Sequence, residues 1–366
     1  MDTFASTIPL ANALRGHFTR VVLPLWRGPG FNTALQLPYE AVSAKNAQPL
    51  PAERYRAMAC ARQLFVFSQA GDAAHAQTLF DSLMHTFQDT RDGGWFYSVD
   101  AQGAPLDTTK DLYTHAFVVF ACAEFGRRSG NRDALEVLHR TSALIQSNFA
   151  ADGDLFNSAL NADFSAVTAT PIQNPLMHLT EAWLAAREAT RDNAFDAALR
   201  HLADAIAENF VHAPTGCIAE LPIGADDNRL EPGHQFEWFW LIRQARTLFD
   251  ASGLEAALNR AFGFAQQYGV DKETGAVCAS LDENGRIKDA TQRIWAQTEY
   301  LRALASHEDA ATLALLPRQI ELFQQRFLRP QGWYECKTPA GEVARADMPS
   351  TTPYHLATAF DALPRR

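Results

Sequence analysis

The sequence predicts an all-α fold, an (α/α)6 barrel of six helical hairpins with short β-hairpins gathered at one mouth. Two observations carry this. A glycine followed by a short alternating segment returns at Gly30, Gly94, Gly153, Gly216, Gly275 and Gly332, a step of roughly sixty residues that marks a repeat architecture. Between these markers apolar residues recur at i, i+3, i+4 and i+7, the spacing of a helix with one buried face.

The glycine segments read GFNTALQLPYE, GWFYSVDAQG, GDLFNSALNADF, GCIAELPIGADDN, GAVCASLDENG and GWYECKTPAGE. Each alternates and contains a Gly, Asp or Asn turn, which predicts a β-hairpin. The helical segments include AERYRAMACARQLFVFSQ, DALEVLHRTSALIQSNF, MHLTEAWLAAREAT, AFDAALRHLADAIAENF and LEAALNRAFGFAQQYG. A unit of about sixty residues holds two helices of roughly 12 to 18 residues and one hairpin. An open solenoid needs polar capping units at its ends. The last repeat has the same bulky side chains as the others, so closure into a ring is expected, with residues 1–366 forming one domain.

Charge and cysteine usage narrow the partners. A formal net charge of -10 opposes nucleic acid and anionic membrane, which are held largely by Lys and Arg. There is no run of about 18 apolar residues, so no membrane span is expected. Cys60, Cys122, Cys217, Cys278 and Cys336 are odd in number, widely spaced and free of any CxxC. That pattern speaks for a reducing, cytoplasmic compartment rather than a disulfide framework. The opening MDTFASTIPLANALRGHF lacks the apolar core of a secretory signal.

In a closed ring, polar residues at one repeat position converge on one mouth. Arg62, His115, His178, His234, Gln297 and His355 follow their glycines at comparable intervals, and the four histidines each open a predicted inner helix. His17, His75, His85, His139, His201, His212 and His307 fall outside this phase and are read as structural or solvated. Glutamate follows histidine by three residues as His178/Glu181 and His234/Glu237, on one helix face. A carboxylate on one imidazole nitrogen fixes the tautomer and raises the basicity of the other nitrogen. No HExxH, GxxxxGK, GxGxxG or GxSxG is present, so metal, nucleotide and serine-hydrolase chemistry lack their signals. Trp95, Trp238, Trp295 and Trp333 lie near the hairpins and inner-helix starts, and aromatic faces beside polar groups suit a carbohydrate.

With these residues in view, the chain resembles the N-acylglucosamine 2-epimerase superfamily, which includes aldose-ketose isomerases acting on mannose, sulfoquinovose isomerases and cellobiose 2-epimerases. The resemblance is carried, in order, by ARQLFVF, TKDLYTHAFVVFA, QNPLMHLTEAW, PGHQFEWFWL, RIWAQTEYLRA and TPYHLATAF. It implies reversible proton transfer on an open-chain sugar without a redox or metal cofactor. It also implies that His234 and His355 are the acid/base pair and that Arg62, Tyr113, Asn174, His178, Glu237 and Trp295 line the site; Gln297 joins them from its repeat position. His115 sits where it supports the neighbouring tyrosine.

A carbon acid beside an aldehyde needs a base of near-neutral pKa and donors for the developing enediolate. On this reading His355 carries the proton between C2 and C1, His234 is oriented by Glu237 and assists ring opening, and Arg62, His178 and Asn174 supply donors. The expected reaction is D-mannose to D-fructose, with sugar 2-epimerisation as the alternative. The expected partner is a monosaccharide, and the reading admits a homodimer. A glycoside hydrolase on the same barrel would use two carboxylates from Asp111, Glu237 and Glu299. A non-catalytic helical scaffold would need a large exposed groove.

Overall fold

Helices buried on nearly every side alternate along the chain with helices buried on one side only, and that alternation builds two concentric rings. In the computed structural model, which describes residues 3–365, the longer helices are α1 (Thr3–His17), α2 (Ala57–Ala70), α3 (Ala73–Ser82), α4 (Leu112–Ser129), α5 (Arg132–Asn148) and α6 (Gln173–Thr190). They continue with α7 (Ala194–Asn209), α8 (Pro232–Arg243), α9 (Leu254–Gly269), α10 (Ile294–Ala305), α11 (Leu316–Phe327) and α12 (Thr352–Ala362). The even-numbered helices form the inner ring. In α2 every residue from Ala57 to Ser68 is buried, whereas α11 buries only Leu316, Gln319, Ile320, Phe323 and Phe327, one stripe of an otherwise charged helix. Tight turns join inner to outer helices; Gly71 and Gly130 end α2 and α4 with φ of 77° and 72°, a left-handed cap that suits glycine.

The ring closes by stitching its ends together. The Arg15 guanidinium of α1 donates to the carbonyls of Leu363 (3.4 Å) and Pro364 (2.7 Å). Strand Ala41–Val42 pairs antiparallel with Met348–Pro349, and Gln63 of α2 donates to the Ser350 carbonyl at 2.5 Å. A closed ring has no end repeat to cap.

All small sheets sit over the N-terminal ends of the inner helices. The hairpin Ser98–Asp100/Pro105–Asp107 pairs with Arg54–Arg56, which leads into α2; Ala159–Leu160/Val167–Ala169 pairs with Lys110–Asp111, which leads into α4. Cys336–Lys337/Val343–Arg345 does the same for α10 through Gln292–Arg293. Thus Arg54–Arg56, expected as the start of a helix, is a strand, because the hairpin of the next unit offers its backbone a partner.

The fourth unit departs further. Between Gly216 and Pro232 the expected hairpin is replaced by an irregular loop with two single bridges, Val211 to Ile218 and Leu230 to Leu281. Pro222 cannot donate to a ladder, and the Asn228 side chain pairs with the Leu221 backbone instead, accepting from its N–H (3.0 Å) and donating to its carbonyl (2.8 Å). Among the described residues no helix is long and apolar enough to cross a membrane.

Side chains near the start of the inner helices fasten the hairpins. His115 donates from Nδ1 to the Asp111 carbonyl (2.7 Å) and accepts the Trp95 N–H on Nε2 (3.2 Å). Gln235 grips the backbone of Ile218 through both amide atoms, each at 2.8 Å, and Gln297 grips Val277 at 2.9 and 3.0 Å. His75 lies between the edges of Phe31 and Phe67, ring centroids 4.6 and 4.3 Å away. Burial pushes His115 down to about 3 and His75 down to about 4, the latter also under the charge of Arg27. Below the ordinary histidine pKa of about 6.5 the unfolded chain binds protons at these sites before the folded chain does, so stability falls with pH. The melting temperature is therefore expected to decline steadily from pH 6.5 to pH 4, each histidine contributing up to about 1.4 kcal/mol per pH unit. Calorimetry that shows a level melting temperature over this range would contradict the assignment.

Candidate active site

The N-terminal turns of all six inner helices converge on one cavity of about 310 Å³. Arg62 comes from α2, Tyr113 from α4, Asn174 and His178 from α6, His234 and Glu237 from α8, Arg293 and Trp295 from the start of α10, and Thr352 and His355 from α12. The irregular fourth loop adds Glu220, Arg229 and Glu231, and the last hairpin adds Glu335. Helix N-termini present unpaired N–H groups and the positive end of the backbone dipole, so this mouth favours developing negative charge.

His234 is locked by a buried chain of hydrogen bonds. Its Nδ1 lies 2.7 Å from Glu220 Oε1. The Trp238 indole donates to Gln173 Oε1 (2.8 Å), which turns the Gln173 amide nitrogen towards Glu220 at 3.0 and 3.1 Å. That amide nitrogen also lies 2.8 Å from His234 Nδ1; with Glu220 nearer and able only to accept, the Nδ1 proton is assigned to the Glu220 bond, which leaves Nε2 for the cavity. Burial lowers the pKa of His234, but Glu220 and Glu231 outweigh that and leave it raised. The carboxylate that orients His234 is thus Glu220 and not Glu237, three residues along the helix.

His355 repeats the device. Its Nδ1 lies 2.9 Å from Glu299 Oε1, a carboxylate with no solvent exposure. Burial and the Arg62 guanidinium hold its pKa well below the usual histidine value. The Trp295 indole packs against both, its centroid 4.9 Å from His234 and 5.9 Å from His355. A Cβ on Gly233 would stand 2.6 Å from the Trp295 ring, so the Pro-Gly that opens α8 is also what lets the indole sit this close.

Arg62 is a buried cation without a carboxylate. It donates to the Tyr113 hydroxyl (2.6 Å) and the Thr351 carbonyl (3.4 Å), and its guanidinium lies over the rings of Phe117 (4.2 Å) and Tyr354 (4.7 Å). Among the described residues it forms no ion pair, and aromatic faces alone are a modest recompense for a buried charge. Asn174 Oδ1 and both Glu237 oxygens are also buried without a hydrogen bond. Burial and the neighbouring Glu299 and Glu181 push Glu237 well above the ordinary carboxyl range.

His178 holds its Nδ1 3.3 Å from Glu181 and stands edge-on to Tyr113, centroids 4.8 Å apart. Burial pushes it down to about 4, so at neutral pH it is an uncharged ring whose free Nε2 accepts a hydrogen bond. It is not the donor that the sequence suggested.

Of the residues singled out in the sequence, Arg62, Tyr113, Asn174, His178, His234, Glu237, Trp295 and His355 meet in the cavity; Gln297 does not. Counting from the glycines mixed two helix positions, because hairpins of unequal length slip the phase and one residue turns a helix by about 100°. Gln297 occupies the clamp position shared with His115 and Gln235. Asp111 caps α4, accepting from Thr114 N and Oγ1 at 2.8 Å, and is no hydrolase acid. Glu220, Arg229, Glu231 and Glu335 carried no repeat signal. Three donor sets, His178/Glu181/Glu237, Glu220/Glu231/His234 and Glu237/Glu299/His355, each gather ligand atoms within 4.8 Å of one another. These are the groups that would hold a cation, although in the protein the histidines spend Nδ1 on the carboxylates.

The model of the N-acylglucosamine 2-epimerase (GlcNAc 2-epimerase) family matches residues 39–359. A mannose-6-phosphate isomerase of Rhizobium meliloti (strain 1021) is 28% identical, over 96% of this chain and 95% of its own. A D-mannose isomerase of Thermobifida fusca is 29% identical over 50% of this chain and 52% of its own. The solved cellobiose 2-epimerase of Bacillus thermoamylovorans B4167 superposes with a TM-score of 0.87 at 19% identity, covering 96% of this chain and 98% of that one; it shares the barrel.

The Glu220 lock is open to a direct test. Glu220→Gln is expected to lower the pKa of His234 by about one unit or more, by removing the charge that opposes burial, whereas Glu237→Gln leaves it within a few tenths. Histidine NMR titration reads both; the reverse order would reinstate Glu237 as the partner.

Proposed function

Because the chain belongs to the N-acylglucosamine 2-epimerase family, a family of sugar isomerases and epimerases, we propose that it interconverts D-mannose and D-fructose by proton transfer through a cis-enediol. The observation that carries this reading is a pair of imidazoles, each held at Nδ1 by a buried carboxylate, both packed against one indole and beside an unpaired guanidinium.

His234, with its raised pKa, is the acid that protonates the ring oxygen as the C1–O5 bond breaks, while the O1 hydroxyl gives its proton to water and becomes the C1 carbonyl. His355, held neutral, is the base: its Nε2 takes the proton from C2 while the C1 carbonyl electrons move to O1. Arg62 faces the enediolate oxygens, where a fixed cation in a dry site is most effective. The His178 Nε2 and the Asn174 and Glu237 oxygens accept sugar hydroxyls. Return of the proton from His355 to C1, with the O2 proton passing to O1, leaves a ketone at C2. Trp295 supplies a flat apolar face to the sugar. Delivery of the proton to the opposite face of C2 would give the epimer from the same intermediate, and two histidines in one cavity make that the second reading.

The purified protein, treated with a chelator and incubated with D-mannose in D2O, is expected to yield fructose with deuterium at C1, followed by proton NMR. His355→Asn and His234→Asn are each expected to reduce kcat/KM by about 10²-fold or more. Glucose formed without fructose would transfer the assignment to 2-epimerisation. No turnover of mannose, glucose or fructose would overturn the mannose reading, and activity restored by a divalent cation would overturn metal independence.

A further inference from the structure

Behind the cavity histidines lies a second layer of buried charge that the reaction described above does not use directly. Arg302, on α10, is 2% exposed. Its Nη1 donates to Glu299 Oε2 at 3.1 Å and its Nη2 to Glu181 Oε1 at 3.3 Å, while Glu237 Oε1 stands 4.0 Å from Nη1. The other oxygens of the two bonded carboxylates belong to the site: Glu299 Oε1 takes the Nδ1 proton of His355, and Glu181 Oε2 takes that of His178 and the hydroxyl of Tyr354. One guanidinium therefore bridges the carboxylates that orient two cavity histidines. Its plane is fixed from behind by the Trp240 ring, 3.5 Å away. Beyond it opens a second cavity of about 720 Å³ at the other end of the barrel, with Arg302, Glu181 and Trp240 in its lining.

We infer that Arg302 is a positioning residue for the proposed proton transfer: by bonding Glu299 and Glu181 at once it fixes the two carboxyl groups against His355 and His178, and so holds each ring with Nδ1 turned to its glutamate and Nε2 free for the sugar. The inference rests on the reading of His355 as the base. Two physical points support it. A carboxyl buried in this barrel tends to take up a proton; burial leaves Glu299 raised even with the Arg302 guanidinium pulling it back, so losing Arg302 would raise it further. A protonated carboxyl can itself donate, and would then leave the imidazole free to exchange its two tautomers. The other groups facing these rings do not substitute for Arg302. Arg62 from α2 and Tyr113 from α4 bond each other, His234 belongs to Glu220, and Glu237 makes no hydrogen bond. Tyr354 donates to the same Glu181 oxygen.

The test compares Arg302→Met and Arg302→Lys with the parent protein, after circular dichroism confirms folding. Nitrogen-15 histidine spectra are recorded near neutral pH, and kcat and KM for mannose are measured on the same samples. The parent is expected to show His355 as a single Nδ1-protonated tautomer. In Arg302→Met the ring is expected to populate both tautomers, with kcat falling about 10²-fold and KM changing less than about threefold, since the sugar does not touch Arg302. Lysine keeps the charge but reaches one carboxylate at a time, and is expected to recover part of the loss; it also serves if the methionine variant does not fold. An unchanged tautomer in a folded variant would overturn the role of Arg302. A changed tautomer with unchanged kcat would uphold that role and overturn His355 as the base.

Discussion

Three glutamates, Glu181, Glu237 and Glu299, share one arginine on the barrel axis, and the protonation of the whole cavity is arranged around that shortage of positive charge. Glu181, bonded to His178, Arg302 and Tyr354, is pulled down to about 2 despite its burial, while Glu237, with no hydrogen bond, is pushed well above the carboxyl range. A buried network of this kind contributes little net stability, because desolvating the ions costs about as much as their attraction returns. Its value lies in fixing which atoms carry protons. His234 and His355 both give Nδ1 to a buried carboxylate, yet their pKa values are displaced in opposite directions, since Glu220 and Glu231 face the first and Arg62 the second. Under the proposed reaction, acid and base would be distinguished by their surroundings, with the same side chain in both roles.

The closed ring makes this arrangement affordable in space. Each inner helix contributes its first turns, so residues far apart in sequence meet within one small cavity, and the hairpins tie neighbouring helix starts together without filling the mouth. The clamps at His115, Gln235 and Gln297 satisfy backbone groups that an irregular mouth would otherwise leave unpaired. The same barrel therefore carries two kinds of polar residue on the same helix turns, one facing the hairpin and one facing the cavity.

That doubling explains what the sequence disclosed and what it did not. The six-fold period, the helical patterning and the closed ring were legible because repeats and apolar spacing are local signals. Arg62, His178, His234, Trp295 and His355 were legible from their motifs. Gln297 was misplaced, and His115 left ambiguous, because clamp and cavity positions differ by a helix rotation that no linear count resolves. Glu220 could not be found at all: it sits in the one unit whose hairpin is lost, and its partnership with His234 is made across 14 residues of irregular chain. The His234/Glu237 pair looked persuasive because i,i+3 residues share a helix face, yet the side chains part, Glu237 towards the Arg302 network and His234 towards the loop. Arg302 gave no signal in RIWAQTEYLRA beyond an ordinary charged residue of a helix, since its meaning comes from Glu181 on another helix, 121 positions away.

The pH dependence of kcat/KM for mannose isomerisation tests the division of labour between His355 and His234 most directly, because it reports the protonation of both in the free enzyme. The account predicts a bell: an ascending limb below pH 6.5, as His355 loses its proton, and a descending limb above pH 6.5, as His234 loses its own, with the descending limb alone abolished in His234→Asn. A profile that keeps rising above pH 7, or a descending limb that survives in His234→Asn, would contradict it.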